Sequence, residues 1–330
     1  MRFKTLFIIT SPFQALCVWE AIHKFDVRDY KIVVIATPND KRYVQVKETL
    51  MYLKLSFDSI VVQKSTLAEV RRVGSTLSNS QKFRDVFVGD CCDIWLVTLA
   101  TYLVKFHGRL LFLDDGASTI SYLNSTDFSF SYKVKRRFVA CVYYAKTLHK
   151  STFFTIFNKK EGCTYNVIHN DFALLNTESE IKTEGLYLIG TNIDVYCKEY
   201  HLTIKDYIGF FCAITEEAIK INKGPIYYIE HGRCNNQEAR DICNDRGITV
   251  LHPDVPIELF FIKNKKKPDR IIGFDTTALF TIKGMYNNCD ALNIQIKNDI
   301  NMHHSFQKLY KQLLVEIGVP TKTFYSNYDK

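Results

Sequence analysis

Short β-branched runs alternate with longer segments of helical period along most of the chain, and this alternation constrains the fold more than any other feature. TLFIIT (5–10) reads as a strand, and Pro12 opens a helix through FQALCVWEAIHKF. Proline at the first helical turn loses only an N–H that has no partner there. KIVVIA (31–36) is a second strand followed by a helix near VQVKETLMYLKL, and DSIVVQ (58–63) and DVFVG (85–89) continue the series. CDIWLVTLATYLVKF reads as a helix before the strand RLLFL (109–113). Parallel neighbours need a long crossover between them, so a strand–helix–strand series implies a parallel sheet. The stretch 125–175 is aromatic, basic and without a readable period, and polar NTESEIKTEG (176–185) reads as a linker. The alternation then restarts with LYLIG (186–190), a helix through KDYIGFFCAITEEAIKI, and IYYIE (226–230). ITVLH (248–252), RIIGF (270–274), ALNIQI (291–296) and the amphipathic FQKLYKQLLVEIG complete it. Two consecutive α/β domains are expected, 1–180 and 181–330, with the last helix a candidate to pack back on the first.

The 330 residues are 47% hydrophobic and 24% charged, a globular composition with enough apolar mass for two cores. Ten cysteines occur without a CxxC pair, and Cys17, Cys141 and Cys212 sit inside apolar runs, as small hydrophobes do in a reducing compartment. The basic-then-apolar start mimics a signal peptide, but Thr10-Ser11-Pro12 interrupts it after LFII. No stretch approaches the roughly eighteen apolar residues of a membrane span, and a cytoplasmic protein is expected. Net charge is +8, concentrated in KVKRR (133–137) and KNKKK (263–267). These runs are a solvated face or an attraction to something anionic, such as a phospholipid surface or a lipid-linked pyrophosphate. Zinc-finger spacing, an aromatic RNA-binding motif and a long basic helix are all missing, so no nucleic-acid partner is expected.

Ligands collect beyond the carboxyl ends of strands in doubly wound sheets, so the residues each strand leads into are the candidates for chemistry. The first strand leads into Ser11 and Gln14, which read as a helix cap or as part of a site. DVFVG ends in Gly89-Asp90, with the same two readings. RLLFL runs into Asp114-Asp115-Gly116. Adjacent carboxylates repel, and one near the interior costs free energy unless something uses it. Either one aspartate caps a helix while glycine takes positive φ, or one caps and the other is a general base. IYYIE leads into His231-Gly232-Arg233, structural or an anion site at a helix start. ITVL leads into His252-Pro253 and then Pro256-Ile257-Glu258, where the glutamate begins a helix or binds a ribose diol. RIIGF leads into Asp275-Thr276-Thr277, a cap or a phosphate cradle. No GxGxxG, GxxxxGK[ST] or GxSxG motif is present.

In this order the residues resemble the bacterial sialyltransferases of the lipooligosaccharide and capsular group. That group shares a GT-B architecture, two Rossmann-like domains facing across a cleft, and three motifs: two acids plus glycine, His-Pro, and a Ser-Ser/Thr pair. IITSPFQALCVWEAI resembles its N-terminal strand, turn and helix; LDDG (113–116) matches the acidic motif; Thr276-Thr277 resembles the hydroxyl pair; VPIE, ending in Glu258, resembles the ribose-binding segment. His252-Pro253 matches His-Pro literally but stands six residues before Glu258, whereas the family histidine ends an earlier strand. His231, with Gly232 in place of proline and Arg233 after it, fits that position better, and His252 is the alternative.

The resemblance implies CMP-sialic acid as donor and an inverting, metal-independent transfer to a sugar hydroxyl of a surface glycan, with no cofactor. It implies Asp114 as base and His231 as acid or phosphate stabiliser. Thr276 and Thr277 would hold the phosphate and Glu258 the ribose, with Asn192, Gly232 and Arg233 in the same pocket. Ser11, Gln14, Asp115 and Gly116 would line the acceptor side, in the first domain. A glycan acceptor, if lipid-linked, would bring the basic surface to the anionic inner face of the membrane. Two alternatives are a GT-B transferase using another donor (CMP-legionaminic, pseudaminic or Kdo acid, or a UDP-hexose) and a non-catalytic binder of anionic glycans or lipids.

Overall fold

The computed structural model describes residues 4–37, 41–63, 66–78, 82–124, 134–135, 137–139, 141–143, 151–158, 165–175, 182–232, 236–286, 288–297 and 305–325. The chain divides into two compact units, Met1–Ala173 and Leu174–Lys330.

Unit 1 contains β1 (Thr5–Ile9), β2 (Tyr30–Ala36), β3 (Asp58–Val61), β4 (Phe83–Val88), β5 (Val104–Phe112), β6 (Thr152–Thr155) and β7 (Asn166–His169). They form one sheet in the order β3-β2-β1-β4-β5-β6-β7, with every pairing parallel. Leu6, Phe7, Ile8 and Ile9 of β1 are all fully buried, which explains why this strand reads as an unbroken apolar run: both faces of a parallel sheet are covered. One expectation needs correction. The helix that the sequence carries to Phe106 stops at Leu103, and β5 begins at Val104. Its Val104 pairs with Phe83 and its Arg109 with Asp85, so β5 advances five positions while β4 advances two. The excess is absorbed in a bulge where His107 takes a left-handed φ of 57°.

Unit 2 contains β8 (Lys182–Thr183), β9 (Leu186–Ile189), β10 (Ile226–Ile229), β11 (Thr249–Leu251), β12 (Lys266–Lys267), β13 (Arg270–Phe274), β14 (Asp290–Lys297) and β15 (Thr321–Tyr325). Six of them make a second parallel sheet, β11-β10-β9-β13-β14-β15, while β8 and β12 pair as a short ribbon. Tyr207 and Phe211 of the helix Ile204–Ile221 pack with Tyr228 and Phe274 in its core, each ring contributing about 1.5–3 kcal/mol by leaving water. The basic run KNKKK falls on this unit's surface and is partly paired there: Lys263 with Asp254 and Lys266 with Glu184. In the last described helix, Ser305–Glu316, Gln307 and Tyr310 hydrogen-bond to Asp275 and Thr276 of unit 2, and the helix leads into β15. Among the described residues no helix is long and apolar enough to cross a membrane.

Candidate active site

Each sheet reverses its strand order once, between β1 and β4 and between β9 and β13. The loops leaving the carboxyl ends at such a reversal diverge to opposite faces and leave a crevice. Of the residues singled out in the sequence, Ser11 and Gln14 follow β1, Asn192 follows β9, and Thr276 and Thr277 follow β13, the strands that flank these two places.

In unit 1, Ser11 caps the helix Pro12–Lys24 in a reciprocal capping box with Gln14. Gln14 is completely buried. Its Oε1 accepts from the backbone N–H of Thr10 (2.7 Å) and Ser11 (3.2 Å), leaving Nε2 to donate to Asp115 Oδ1 at 2.5 Å. The glutamine therefore caps a helix with one end of its amide and anchors a carboxylate with the other. Gly89, at the end of β4, makes this arrangement fit: a Cβ there would fall inside the Gln14 carboxamide.

The two aspartates are in opposite situations. Asp114 is fully buried, and both its oxygens are occupied. Oδ1 accepts from Gly116 N–H (2.9 Å), while Oδ2 accepts from Thr155 Oγ1 (2.7 Å) and Ile156 N–H (3.0 Å) at the end of β6. Burial pushes its carboxyl up and these donors pull it back. Asp115 is only partly buried. Ser11 Oγ lies 3.4 Å from its Oδ1, and Ser118 adds a bond. Burial first, then the nearby charge of Asp90, push its carboxyl up to about 7. Gly116 takes a φ of 64°, the positive angle expected of this turn. Asp114 is thus held at the turn by three donors, while Asp115 has the more exposed carboxyl of the two.

Beside them, Asp90 and the thiols of Cys91 and Cys92 bring their ligand atoms within 4.8 Å of one another. Asp90 Oδ1 already accepts from the N–H groups of Cys92 (2.7 Å) and Asp93 (3.2 Å), and burial pushes the Cys91 thiol well above its ordinary value. A thiol held neutral is a poor metal ligand.

In unit 2, Asn192 caps the helix Ile193–Glu199 by accepting from Val195 N–H at 3.4 Å, so its side chain has a structural use. His231 follows β10 and is partly buried. Gly190, ending the neighbouring β9, lets that strand end pass closely: a Cβ on it would lie 3.0 Å from the Ile229 carbonyl and 3.2 Å from His231 N. Gly232 is exposed in a turn, and Arg233 lies outside the described residues. His252 follows β11, at the sheet edge. Its Nδ1 lies 2.9 Å from Glu230, a buried carboxylate that Arg240 also grips through Nε and Nη2, both at 3.1 Å. The ring of His252 is thus tied into a strut joining β10, β11 and the helix Gln237–Asp245.

Glu258, in the first turn of the helix Ile257–Lys263, is buried and accepts from Thr281 Oγ1; burial pushes its carboxyl up. Thr276 and Thr277 connect β13 to the helix Ala278–Met285, and Thr277 heads it without a side-chain cap bond. The Thr277 hydroxyl therefore does not cap this helix. Tyr310 OH donates to the Thr276 carbonyl.

Sequence reasoning passed over Asp275. It is a non-glycine residue at φ 45°, and its carboxylate accepts four neutral donors. Asn293 Nδ2 (2.8 Å) and Gln295 Nε2 (3.1 Å) reach Oδ1, and Gln307 Nε2 (3.2 Å) and Tyr196 OH (3.4 Å) reach Oδ2. Burial pushes it up to about 6 against those bonds. The signal was in ALNIQI, where Asn293 and Gln295 stand in a strand whose neighbours are core residues. Buried amides in such a run need polar partners.

No family model and no curated protein sequence matches the chain. Solved structures match it in shape. An α/β-galactoside α-2,3-sialyltransferase from the luminous marine bacterium Photobacterium phosphoreum superimposes with a TM-score of 0.58 at 10% identity, over 97% of this chain and 98% of that one. A putative UDP-N-acetylglucosamine 2-epimerase from Listeria monocytogenes gives 0.53 at 14% identity, covering 89% of this chain and 79% of its own. The UDP-N-acetylglucosamine 2-epimerase from Rickettsia bellii gives 0.51 at 12%, with the same coverage. The likeness is one of fold: two parallel-sheet α/β units of the GT-B type. A transferase and epimerases share it, so the reaction has to be argued from side chains.

Proposed function

We propose that the chain is a glycosyltransferase that moves sialic acid from CMP-sialic acid to a hydroxyl of a bacterial surface glycan, with inversion and without a metal. The observation that carries this reading is Asp115: a partly exposed carboxylate, anchored by Gln14, whose affinity for protons is raised to about 7. A general base works best when it titrates near the operating pH. Asp115 takes the proton of the acceptor hydroxyl as that oxygen bonds to the anomeric carbon. The bond from that carbon to the phosphate oxygen breaks, its electron pair leaving with CMP, through an oxocarbenium-like transition state.

Unit 2 supplies the grip on the leaving nucleotide. Thr276 and Thr277 and the N–H groups at the following helix start suit a phosphate, and Glu258 suits the ribose hydroxyls. His231 is the acid or phosphate stabiliser. It ends the strand beside β9 at the order reversal, while the alternative, His252, stands one strand further out and is engaged by Glu230. A single phosphate neutralised by hydroxyls, N–H dipoles and an imidazolium calls for no metal. Exposed Lys135 and Arg137, in the run KVKRR, suit a lipid-linked acceptor at an anionic inner membrane face.

The test is incubation with CMP-sialic acid and a panel of galactosides and glucosides, with products identified by NMR. A sialoside formed together with CMP, undiminished by EDTA, is the expected result. Transfer from a UDP-hexose and none from any CMP-activated acid would overturn the donor assignment.

A further inference from the structure

The turn that carries the hydroxyl pair contains a partly buried carboxylate, Asp275, whose side-chain donors among the described residues are all neutral, and this has a consequence for any anion that binds there. Asp275 immediately precedes Thr276, and every side chain donating to it is neutral: Asn293 and Gln295 from β14, Gln307 from the helix Ser305–Glu316, and Tyr196 from the helix Ile193–Glu199. The titratable groups that sense its charge, Tyr196, Tyr200 and Tyr310, are all pushed above the ordinary phenol value, by burial first. They stay neutral across the working range.

The backbone is committed as well. Asp275 N–H donates to Asn293 Oδ1 at 2.9 Å, the chain turns through a left-handed φ of 45°, and Tyr310 holds the Thr276 carbonyl. So the same network fixes both the direction of the hydroxyl pair and the place of the negative charge beside it. Two buried amide oxygens, Gln295 Oε1 and Gln307 Oε1, have no hydrogen-bond partner among the described residues. A protonated Asp275 donates where a carboxylate cannot, and either amide, turned end for end, presents an acceptor to it.

We infer that Asp275 is a positioning residue for the phosphate turn and that it takes up a proton when the donor's phosphate binds. This rests on the nucleotide reading of unit 2 and adds a proton to its stoichiometry. A bound phosphate next to an ionised Asp275 would put two anions into one poorly solvated region, and like charges at such range favour protonation of one of them. The sign follows by linkage: if binding favours the protonated form, affinity is greatest where Asp275 is already protonated and weakens as pH rises past its free-state value of about 6.

The test uses the full chain and cytidine 5′-methyl phosphate, a phosphodiester whose single charge does not titrate near neutrality. Calorimetric titration at pH 7 in two buffers of different ionisation heat gives the protons exchanged; the same titration from pH 6 to 8 gives the affinity profile. Wild type should take up a substantial fraction of one proton and lose affinity several-fold over that range. Asp275→Asn should exchange none and hold its affinity within about twofold. Binding by wild type without proton uptake overturns the inference and leaves the nucleotide reading standing, as does an Asp275→Asn variant with the wild-type profile. No binding at any pH overturns both. Should Asp275→Asn fail to fold, Asp275→Glu, which keeps a titrating carboxyl, should shift the proton count, and a wild type that takes up no proton still overturns the inference.

Discussion

At the scale of single residues, the division of labour within Asp114-Asp115 is the most exposed claim. Asp115→Asn should lower kcat by about 10²–10⁴-fold with the melting temperature little changed. Asp114→Ala strands the N–H groups of Gly116 and Ile156 and the hydroxyl of Thr155, and should cost on the order of 3 kcal/mol in chemical denaturation. An Asp114→Ala protein of wild-type stability with no activity would reverse the two roles. Because the base must be ionised, kcat/KM should fall about tenfold per pH unit below roughly 7, the acid limb set by Asp115. The motif was legible in LDDG, but not which aspartate is held at the turn. That depends on Thr155 and Ile156, which claim Asp114, and they leave β6 in the stretch where the sequence shows no period. Gly89→Ala is expected to displace Gln14, to destabilise by about 1–3 kcal/mol, and to lower kcat through Asp115, as denaturation and rate measurements together would reveal.

At the scale of elements, what could be read depended on burial on both faces. β1, β4, β9 and β13 are apolar runs, and their ends lead to the expected residues. β15 has no fully buried residue, and β7 is likewise half exposed; such edge strands show neither a continuous apolar run nor clean alternation. The start of β5 was hidden inside a helical pattern because its bulge breaks the two-residue period. The turn after β13 makes its own prediction. Asp275 is raised to about 6 in the fold against roughly 3.9 unfolded. Between those values the unfolded chain has released a proton that the folded chain keeps, so this group makes stability fall as pH rises from about 4 to 6. Asp275→Asn should flatten that part of the stability profile and, above pH 7, be no less stable than wild type; a steeper wild-type-like slope in the variant would contradict the assignment.

At the scale of the whole molecule, each unit has its own apolar core, Leu6 through Phe153 in the first and Leu186 through Ile296 in the second. Both parallel sheets were legible because the alternation breaks off and restarts. CMP at about 100 times its dissociation constant should add roughly 2.7 kcal/mol to stability, and hydrogen exchange should slow at Gly190, His231, Thr276 and Thr277. Slowing confined to unit 1 would displace the nucleotide from where it is assigned. The order of synthesis adds a last consequence. Gln307 and Tyr310, which brace Asp275 and Thr276, lie some thirty residues further along the chain than the turn they hold. A nascent chain that has only just exposed its two threonines carries the hydroxyls without their brace, and their direction is set only once Gln307 and Tyr310 have followed.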